Sequence, residues 1–316
     1  MSVTMRDAFG LKCVELGKTN KHMVVLDADV SASTKSSYFA KEFPDRFFNC
    51  GAAEGNMAGV AAGLAASGFH PVVNAFAIFL ELKSTDQIRN DFCYNKLPVV
   101  IAGAYGGLSD SFDGASHQAI TDIAIMRAMP NMEVIVPADN DQAALALEYA
   151  MGKKSPVYIR LNRNSLPDLS AVAAKPFSAK NFEGYEAVLL REGGSVTIAA
   201  NGITASMCLE AAGLLAKDGI EAEVFSAPFV KPLGIAALGA SVKKTGKLVT
   251  VEEHNVFAGF GSACLEVLCK AGHSFAYDAV GLEDRFGDTG PYNELMAVYG
   301  LSPEAIAGRV KKLLGK

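Results

Sequence analysis

Short runs rich in β-branched residues alternate with longer segments of helical character along the whole chain. A strand that is followed by a helix and then by another strand is typical of a parallel sheet with helices on its faces. The sequence therefore predicts an α/β fold of two consecutive parallel-sheet α/β domains. The predicted strands lie at 23–29, 70–76, 97–104, 132–139 and 156–161 in a first series, and at 195–201, 221–227 and 247–253 in a second.

A polar, proline-containing stretch, NRNSLPDLSAVAAKPFSAKNFEG, separates the two series of strands. We predict a first domain over residues 1–175, a linker over 176–190 and a second domain over 191–316. With 316 residues, half of them apolar, the chain has enough material for two cores of ordinary size. An amphipathic helix is predicted at each terminus, and LSPEAIAGRVKKLLGK has the capping serine of such a helix.

Charge and cysteine usage narrow the class of protein. The net charge is 29 − 34 = −5 and there is no basic tract, which argues against a broad nucleic-acid interface. No run of about 18 apolar residues occurs, so we expect no membrane segment. The six cysteines form no Cys-x-x-Cys pair and lie mostly in apolar segments, which is typical of reduced core thiols. We therefore expect a cytoplasmic protein.

Glu54 lies at the predicted start of a helix in the segment CGAAEGNMAGVAAGLAASG. The same helix carries Gly55, Gly59 and Gly63 at four-residue spacing. Because each helix glycine costs about 1 kcal/mol relative to alanine, this stripe predicts a close neighbouring backbone, either a strand or the same helix of a twin subunit. Two interpretations of Glu54 stay open: a helix cap favoured by the macrodipole, or a functional carboxylate.

Two further segments carry candidate site residues. Phe76 and Phe79 are three residues apart and can share one face, either as a core pair or as the wall of a pocket for a planar heterocycle. The long loop GAYGGLSDSFDGASHQ carries Asp113 and His117, and loops of this kind are commonly functional. We predict that these two residues form a polar pair that acts on hydroxyl groups. The alternative is a turn at Asp113 and a helix cap at His117.

Arg163 follows the predicted strand PVYIRL. A guanidinium at the carboxyl end of a parallel sheet suits a phosphate or a carboxylate, although a solvated surface arginine fits the pattern as well. Asp139 is predicted to cap the helix that begins at NDQAALALEYA. The sequence contains no Walker loop, no Gly-x-Gly-x-x-Gly between strand and helix, no His-Glu-x-x-His and no Gly-x-Ser-x-Gly.

Taken in order, these motifs resemble one family. GAAEGNMAGVAAGLA, AFAIF, DGASHQ and NRNSLP resemble the pyrimidine-binding domain of transketolases, and SVTIAANGITASMCLEAA, VFSAPFVKPL, VTVEEHNVFAGFGSA and GLEDRFGDTG resemble the C-terminal domain of that family. The resemblance covers essentially the whole chain. The glutamate-helix segment is shared with deoxyxylulose-phosphate synthases and with the beta subunits of 2-oxoacid dehydrogenases, whereas Asp-Gly-x-x-His-Gln is the more discriminating transketolase motif.

The resemblance implies a thiamine-diphosphate-dependent enzyme that transfers a two-carbon ketol unit from a ketose to an aldose. Glu54 would bond the ring nitrogen of the cofactor pyrimidine and favour the imino tautomer that removes the thiazolium proton. Phe76 and Phe79 would stack on or flank the pyrimidine. His117 would contact the hydroxyls or the carbonyl of the substrate, and Asp113 would bind the hydroxyl next to that carbonyl.

The resemblance also implies how a sugar phosphate would be bound. Ser33 and Arg163 match positions at which transketolases bind the substrate phosphate. Asp29 matches an acid near the subunit interface, close to the cofactor.

Three positions depart from the family pattern. Tyr105 replaces a histidine, Leu82 replaces the tyrosine that completes the pyrimidine pocket, and Phe112 replaces an acid before Asp113. Since Tyr105 and Phe112 would border the sugar, the donor, the acceptor and the choice between a phosphate and a sulfonate stay open.

Enzymes of this family bind Mg²⁺ and the cofactor diphosphate through a Gly-Asp-Gly motif on an N-terminal domain, and this sequence has no such motif. The resemblance therefore implies that this chain binds no metal itself. It implies a partner subunit of comparable size that carries the motif, in an α2β2 assembly whose two-fold axis lies near the glycine-striped helices.

Three alternatives are kept. The first is the beta subunit of a 2-oxoacid dehydrogenase, against which the loop with Asp113 and His117 argues. The second is a fragment resembling deoxyxylulose-phosphate synthase. The third is a degenerate regulatory homologue without activity, against which the retained candidate residues argue.

Overall fold

The computed structural model describes residues 3–169, 172, 182 and 184–316. Two mainly parallel sheets with flanking helices confirm the predicted α/β class. Of the predicted linker at 176–190, residues 176–181 and 183 lie outside the described residues. The predicted domain limits therefore stay a prediction.

The strands of the first half are β1 (Met23–Asp27), β2 (Phe47–Asn49), β3 (His70–Phe76), β4 (Val100–Ala104), β5 (Glu133–Ile135) and β6 (Val157–Leu161). Those of the second half are β7 (Val188–Arg191), β8 (Val196–Ala200), β9 (Ala222–Ser226), β10 (Phe229–Lys231), β11 (Lys247–Asn255) and β12 (Ala276–Leu282). They form a seven-stranded sheet in the order β10-β5-β6-β4-β3-β1-β2 and a five-stranded sheet in the order β12-β11-β8-β9-β7. Within the described residues, the antiparallel pairs are β10 with β5 and β7 with β9.

The helices of the first half are α1 (Met5–Thr19), α2 (Ser31–Thr34), α3 (Ser37–Glu42), α4 (Glu54–Ala66), α5 (Ala77–Lys83), α6 (Thr85–Gln87), α7 (Asp122–Ala128) and α8 (Asn140–Met151). Short 3₁₀ and π-helical turns lie at Pro44–Arg46 and Ile88–Cys93. Those of the second half are α9 (Thr204–Lys217), α10 (Ala236–Thr245), α11 (Phe260–Lys270), α12 (Tyr292–Val298) and α13 (Pro303–Leu313). None of the described helices combines the length and the apolar character needed to cross a membrane.

Three predicted helix starts are confirmed by their side-chain caps. The Thr4 hydroxyl accepts a hydrogen bond from the backbone N–H of Asp7 at the start of α1. The Asp139 carboxylate accepts one from Gln142 at the start of α8, and Ser302 caps α13 in the same way. The sequence signals for these helices are local, which is why they could be predicted.

All eight predicted strands are present, but four others were not predicted. β2 and β10 are three residues long, too short for a periodic pattern to be recognised. β7 alternates between buried and half-buried residues, and β12 begins with four residues that are not buried. β10 follows β9 of the second sheet yet completes the edge of the first, so the chain returns to the first sheet after the second has begun.

One apolar cluster continues from the first half into the second. Met126 and Val134 of the first half and Val230 and Phe260 of the second belong to it. The two halves therefore share buried apolar surface in addition to the strand pairing of β10.

The first sheet brings several candidate residues to one edge. Strands β1, β3, β4 and β6 are successive parallel neighbours, so their carboxyl ends lie side by side. The segments that leave these ends carry Asp29, Phe76, Tyr105 and Arg163. In parallel sheets this edge is where ligands bind.

Candidate active site

Glu54 is the first residue of α4 and is 4% exposed. Among the described residues its carboxylate has one hydrogen-bond partner, Lys83, whose Nζ lies 3.4 Å from each oxygen. No backbone N–H of the described helix start donates to it, so the structure does not support the helix-cap interpretation. A buried carboxylate with a single partner keeps most of its acceptor capacity.

The glycine stripe of α4 has a close backbone neighbour at one of its three positions. A Cβ at Gly55 would lie 3.1 Å from the carbonyl oxygen of Lys83. Gly59 and Gly63 are exposed, and a Cβ at either would meet no atom within 4 Å. No strand of the described chain covers these two positions. The twin-subunit contact therefore stays a prediction for this face of α4.

Phe76 and Phe79 form a stacked aromatic wall at the junction of β3 and α5. Their ring centroids lie 5.9 Å apart with an interplanar angle of 22°, and both side chains are half-buried. Lys83 Nζ lies 4.0 Å from the Phe79 centroid and so links this wall to Glu54. The His117 ring meets Phe79 edge-on at 5.2 Å. The structure thus brings Glu54, Phe76, Phe79 and His117 to one place.

The loop between β4 and α7 carries the predicted polar pair, but the pair is not formed directly. His117 Nδ1 lies 3.0 Å from Ser116 Oγ, and no hydrogen bond joins its ring to Asp113 in the described part of the chain. The Asp113 carboxylate lies near that of Asp110, whose pKa is raised by burial and by this carboxylate. His117 does not cap the following helix either, since α7 begins only at Asp122.

Asp110 lies at the centre of this loop and was not assigned a role from the sequence. It is buried, and its Oδ1 accepts a hydrogen bond of 2.9 Å from Arg163 Nη1. Burial raises the pKa of Asp110, as does the neighbouring Asp113 carboxylate, whereas the Arg163 guanidinium lowers it. Asp110 could not be identified from the sequence, because no local sequence pattern distinguishes a buried aspartate from an exposed one.

A second cluster adjoins the aromatic wall and centres on Tyr105. The guanidinium carbons of Arg6 and Arg163 lie 4.9 and 5.1 Å from its ring centroid. Arg6 Nη1 also donates to the Tyr105 hydroxyl at 2.8 Å and to the Ser33 carbonyl at 2.6 Å. The Phe76 ring lies 4.3 Å from Tyr105. Three predicted substrate-binding residues therefore meet beside the predicted cofactor wall.

Arg6 was missed by the sequence analysis. It lies on the amphipathic helix α1, where an arginine is expected on the solvated face. Its Nε is nevertheless buried without a partner in the described residues. Tyr105, its neighbour in space, has φ = 62°, a left-handed conformation that is uncommon for an aromatic residue and is concentrated at functional sites.

Two predicted site residues lie apart from these clusters. Asp29 is exposed, has φ = 64° and accepts a hydrogen bond from Asn49 Nδ2 at 2.8 Å. Leu82 is 62% exposed on α5. Neither is bonded to the aromatic wall or to the Tyr105 cluster in the described part of the chain. Their assignment to cofactor binding stays a prediction.

The end of β11 in the C-terminal half contacts the first half at Arg160. Arg160, which is buried, donates from Nε to Asp122 at 2.8 Å and from Nη2 to the carbonyls of Ala119 and Glu253. Burial raises the pKa of Glu253 to about 7 and lowers the pKa of His254 to about 4. Glu253 and His254 lie in the segment VTVEEHNVFAGFGSA, in which the sequence analysis predicted no site residue.

A further buried carboxyl group, Glu81, lies on α5 between Phe79 and Lys83 in the sequence. Its Oε1 accepts a hydrogen bond of 2.8 Å from Thr121. Burial raises the pKa of Glu81 well above its usual range, and the nearby Asp122 acts in the same direction. The raised pKa favours the neutral form of the Glu81 carboxyl group.

The segment Gly287–Gly290, which superficially resembles a metal loop, packs against the loop that carries Asp113 and His117. The Gly290 N–H donates to the Ser111 carbonyl at 3.1 Å, and Gln118 Nε2 donates to the Asp288 carbonyl at 2.9 Å. Over residues 3–169, 172, 182 and 184–316, no group of three His, Cys, Asp or Glu side chains is placed to hold a metal ion. The contacts of this segment with the loop are thus hydrogen bonds to its backbone, at the Gly290 N–H and the Asp288 carbonyl.

Two family profiles match the chain in the predicted order. The profile described as transketolase, pyrimidine binding domain, matches residues 1–168. The profile described as transketolase, C-terminal domain, matches residues 185–306.

Curated relatives fall into two groups by length. The chain is 38% identical over 312 residues to a Methanocaldococcus jannaschii protein with the provisional name transketolase C-terminal section, covering 99% of this chain and 96% of that one. It is 36% identical over 302 residues to the 6-deoxy-6-sulfo-D-fructose transketolase subunit of Clostridium sp. strain MSTE9, covering 96% and 92%. It is 38% identical over 313 residues to the 1-deoxy-D-xylulose-5-phosphate synthase of Thermomicrobium roseum, covering 98% of this chain but only 48% of the synthase.

Among solved structures, a split gene transketolase described as an inactive beta4 tetramer aligns with a TM-score of 0.88 at 42% identity, covering 100% of this chain and 99% of that one. The transketolase of Campylobacter jejuni shares the fold, with a TM-score of 0.82 at 23% identity, and this chain covers 47% of its length. The resemblance found in the sequence is thus confirmed, and the chain belongs to the transketolase family, of which it comprises the pyrimidine-binding and C-terminal domains.

Proposed function

We propose that this chain is the C-terminal subunit of a two-chain, thiamine-diphosphate-dependent transketolase that moves a two-carbon ketol unit from a ketose phosphate to an aldose. The observation that carries the proposal is the buried carboxylate of Glu54 beside the stacked rings of Phe76 and Phe79. Membership of the transketolase family supports it.

The residues present fit the pyrimidine end of thiamine diphosphate. Glu54 is buried and can accept a hydrogen bond from a protonated ring nitrogen, and such charge-assisted bonds are strong in a dry site. Phe79 offers an aromatic face on the same side as Lys83, which contacts both Glu54 and Phe79. The chemistry that the cofactor supplies when bound is a nucleophilic carbon that cleaves the bond beside a ketose carbonyl. Glu54 would hold the shared proton, and the two phenylalanines would orient the ring and exclude water.

The Tyr105 cluster suits the anionic end of a sugar phosphate. Asp110 balances the charge of Arg163, whereas Arg6 forms no ion pair within the described residues. The cluster therefore carries an excess positive charge that would bind an anion, with Ser33 at its border. His117, beside Phe79, would carry a proton at the substrate oxygens, and Asp113 would accept a hydrogen bond from a hydroxyl group.

We infer that Mg²⁺ and the cofactor diphosphate are bound by a second subunit with a Gly-Asp-Gly motif. The name of the Methanocaldococcus jannaschii relative, a C-terminal section, supports this division, as does the solved split gene transketolase, whose beta4 tetramer is described as inactive. An α2β2 assembly would bring a twin α4 against the exposed face at Gly59 and Gly63.

Two relatives provide alternative substrates to test. The Clostridium relative is named for a deoxysulfofructose, so a sulfonated ketose is a second candidate donor for the anion-binding cluster. The similarity to 1-deoxy-D-xylulose-5-phosphate synthases keeps a synthase-like reaction as a second candidate function. Product analysis separates the two reactions, since only the second forms deoxyxylulose phosphate.

The test mixes the chain with its candidate partner, thiamine diphosphate and Mg²⁺, and measures ketol transfer. We expect Glu54→Gln to fold normally and to lower kcat by about 10²-fold or more, because the shared proton is lost at the pyrimidine. Glu223→Gln is the matched control, because the Glu223 side chain is 7% exposed and also pairs with a half-exposed lysine, away from the site.

Two results would count against the proposal. Wild-type turnover by Glu54→Gln would refute the role of Glu54. Ketol transfer by this chain without a partner would refute the division between two subunits.

A further inference from the structure

The Glu253 side chain belongs to the C-terminal half but bonds to the first half. It lies on β11 and is 2% exposed. Its Oε1 accepts hydrogen bonds from the Leu108 backbone N–H and from the Tyr292 hydroxyl, both at 2.8 Å. Its Oε2 accepts one from Asn162 Nδ2 at 3.2 Å. One carboxylate is thus fixed by three donors from three separate segments.

Two of these donors adjoin the proposed substrate contacts. Leu108 begins the part of the loop that carries Asp113 and His117, and Asn162 immediately precedes Arg163. The loop and the strand end are therefore both bonded to the same carboxylate of the other half. A substitution of Glu253 therefore alters a hydrogen bond of the loop and a hydrogen bond of the strand end at the same time.

Gly107 allows the carboxylate to come this close. Its φ is +66°, and a Cβ at this position would lie 2.3 Å from Cδ of Glu253, a separation that two carbon atoms cannot adopt. The left-handed turn at Gly107 and its missing side chain are both needed for Glu253 to reach the Leu108 N–H.

The C-terminal half also forms hydrogen bonds with later residues of the loop, and these use backbone groups of the C-terminal half. Its contacts at Ser111 and Gln118 use the backbone of residues 288–290. Asn255 donates from its backbone N–H to the Ile120 carbonyl at 2.9 Å. In the part of the chain that the structure describes, Glu253 is the ionisable side chain by which the C-terminal half bonds this loop.

We propose that Glu253 is a positioning residue for ketol transfer, which holds the loop with Asp113 and His117 and the strand end with Arg163 in the arrangement that binds the sugar. This inference rests on the proposed function. A buried carboxylate is unfavourable unless its hydrogen bonds are satisfied, and an apolar side chain would pack the two halves together without directing three donors. The directed hydrogen bonds therefore distinguish positioning from packing.

The test is Glu253→Gln in the full chain with its partner subunit, thiamine diphosphate and Mg²⁺. The amide keeps the size of the side chain but turns one acceptor oxygen into a donor, which opposes the donors around it. We expect kcat/KM for the ketose phosphate to fall about tenfold or more, with a higher KM, because small displacements of binding groups have large kinetic effects. We expect amide hydrogens of residues 106–118 to exchange about tenfold faster, while the Kd for thiamine diphosphate stays unchanged.

Glu252→Gln is the matched control. Glu252 is equally buried one residue earlier, but its oxygens accept from the backbone N–H groups of Phe260 and Gly261 at the start of α11, within the C-terminal half. This variant loses a helix-capping interaction of about 1 kcal/mol. Its rate of amide exchange in residues 106–118 and its kcat/KM should stay within about twofold of wild type. These changes are smaller than the roughly tenfold changes expected for Glu253→Gln.

The outcomes separate the two proposals. If Glu252→Gln and Glu253→Gln change exchange and kcat/KM alike, Glu253 acts through general stability and the positioning role is overturned. If the wild-type complex transfers no ketol unit, the proposed function fails, while hydrogen exchange still decides whether Glu253 holds the loop in place. Faster amide hydrogen exchange that is confined to residues 106–118 in Glu253→Gln then supports the positioning of the loop by Glu253. Unchanged exchange in these residues refutes it.

Discussion

Lys83 Nζ lies 3.4 Å from both carboxylate oxygens of Glu54 and 4.0 Å from the centroid of the Phe79 ring. It therefore contacts both surfaces that the proposed pyrimidine would contact. The Lys83 side chain is 51% exposed, and ion pairs of such exposed groups contribute about 0–1 kcal/mol. Lys83 would thus be a displaceable occupant of the proposed cofactor site.

We expect Lys83→Gln to tighten the binding of thiamine diphosphate. Removing an ion pair worth up to about 1 kcal/mol lowers the apparent Kd by up to about fivefold, because that pair no longer has to be broken. The Kd is measured by calorimetric titration of the two-subunit complex in the presence of Mg²⁺.

Lys244→Gln is the control for this prediction. Lys244 is half-exposed and pairs with the buried Glu223 at 2.6 Å, outside the candidate site, so its loss should leave the Kd unchanged. Weaker cofactor binding by Lys83→Gln would contradict the prediction and would assign Lys83 a direct contact with the cofactor.

The strands could be predicted because buried parallel strands produce short, uninterrupted apolar runs. Every residue of Val157–Leu161 is buried, for example, including Arg160, and the run was recognised from its β-branched residues. The same pattern predicted that Arg163 lies at the carboxyl end of the sheet, since it follows the strand PVYIRL closely. Glu54, Phe76, Phe79 and His117 were predicted, by resemblance, to share a site, and they lie together in the structure.

Contacts between distant segments could not be predicted. The Leu108–Glu253 hydrogen bond joins residues 145 positions apart, and nothing near either residue in the sequence indicates the other. Arg6 reaches Tyr105 across 99 positions, and its helix has the pattern of an ordinary amphipathic helix. The polar pair of Asp113 and His117 stays a prediction, since in the described residues the His117 ring bonds the adjacent Ser116 hydroxyl and no hydrogen bond joins it to Asp113.

We expect Arg163→Lys to weaken the binding of phosphorylated ketoses selectively. Arg163 bonds Asp110 through Nη1 and has further N–H groups for an anion, whereas a lysine is a single point charge that cannot serve both in the same geometry. Loss of one charge-assisted hydrogen bond, about 1.5 kcal/mol, raises KM for a ketose phosphate about tenfold. Steady-state kinetics with a phosphorylated and an unphosphorylated ketose checks this, and KM for the second should change little.

Arg309→Lys is the matched control, since Arg309 bonds Asp278 through two nitrogens, and both residues belong to the C-terminal half. It should leave both KM values unchanged. An equal rise of KM for both ketoses in Arg163→Lys would show that Arg163 supports the loop but does not contact the anion.

His254 makes the stability of the junction between the two halves depend on pH. Its Nδ1 lies 2.7 Å from the Asn255 carbonyl, and its ring faces Asp122, Glu252 and the positive charge of Arg160. Burial lowers the pKa of His254 from 6.5 to about 4, and it outweighs the opposite effect of Asp122. The folded protein therefore keeps the imidazole neutral at pH values at which the unfolded chain binds a proton.

The sign of the effect follows from this difference in proton binding. Because the pKa is lower in the folded state, the contribution of His254 to stability is fully present above pH 6.5 and is lost as the pH falls towards 4. At pH 5 the loss amounts to about 2 kcal/mol. The pKa values of Glu252 and Glu253, raised by burial to about 7, act with the opposite sign between pH 4.5 and 7. These two carboxyl groups are present in wild type and variant alike, so the difference between the two proteins isolates His254.

We therefore expect His254→Asn, whose amide can still donate to the Asn255 carbonyl, to flatten the acid side of the stability profile. Urea unfolding at pH 7.5 and at pH 5 should show that wild type loses about 2 kcal/mol more than the variant between these pH values. His22→Asn, at an exposed histidine, controls for the loss of an imidazole elsewhere. Parallel profiles of wild type and His254→Asn would contradict the prediction, because they would require the buried imidazole to bind its proton equally in the folded and unfolded states.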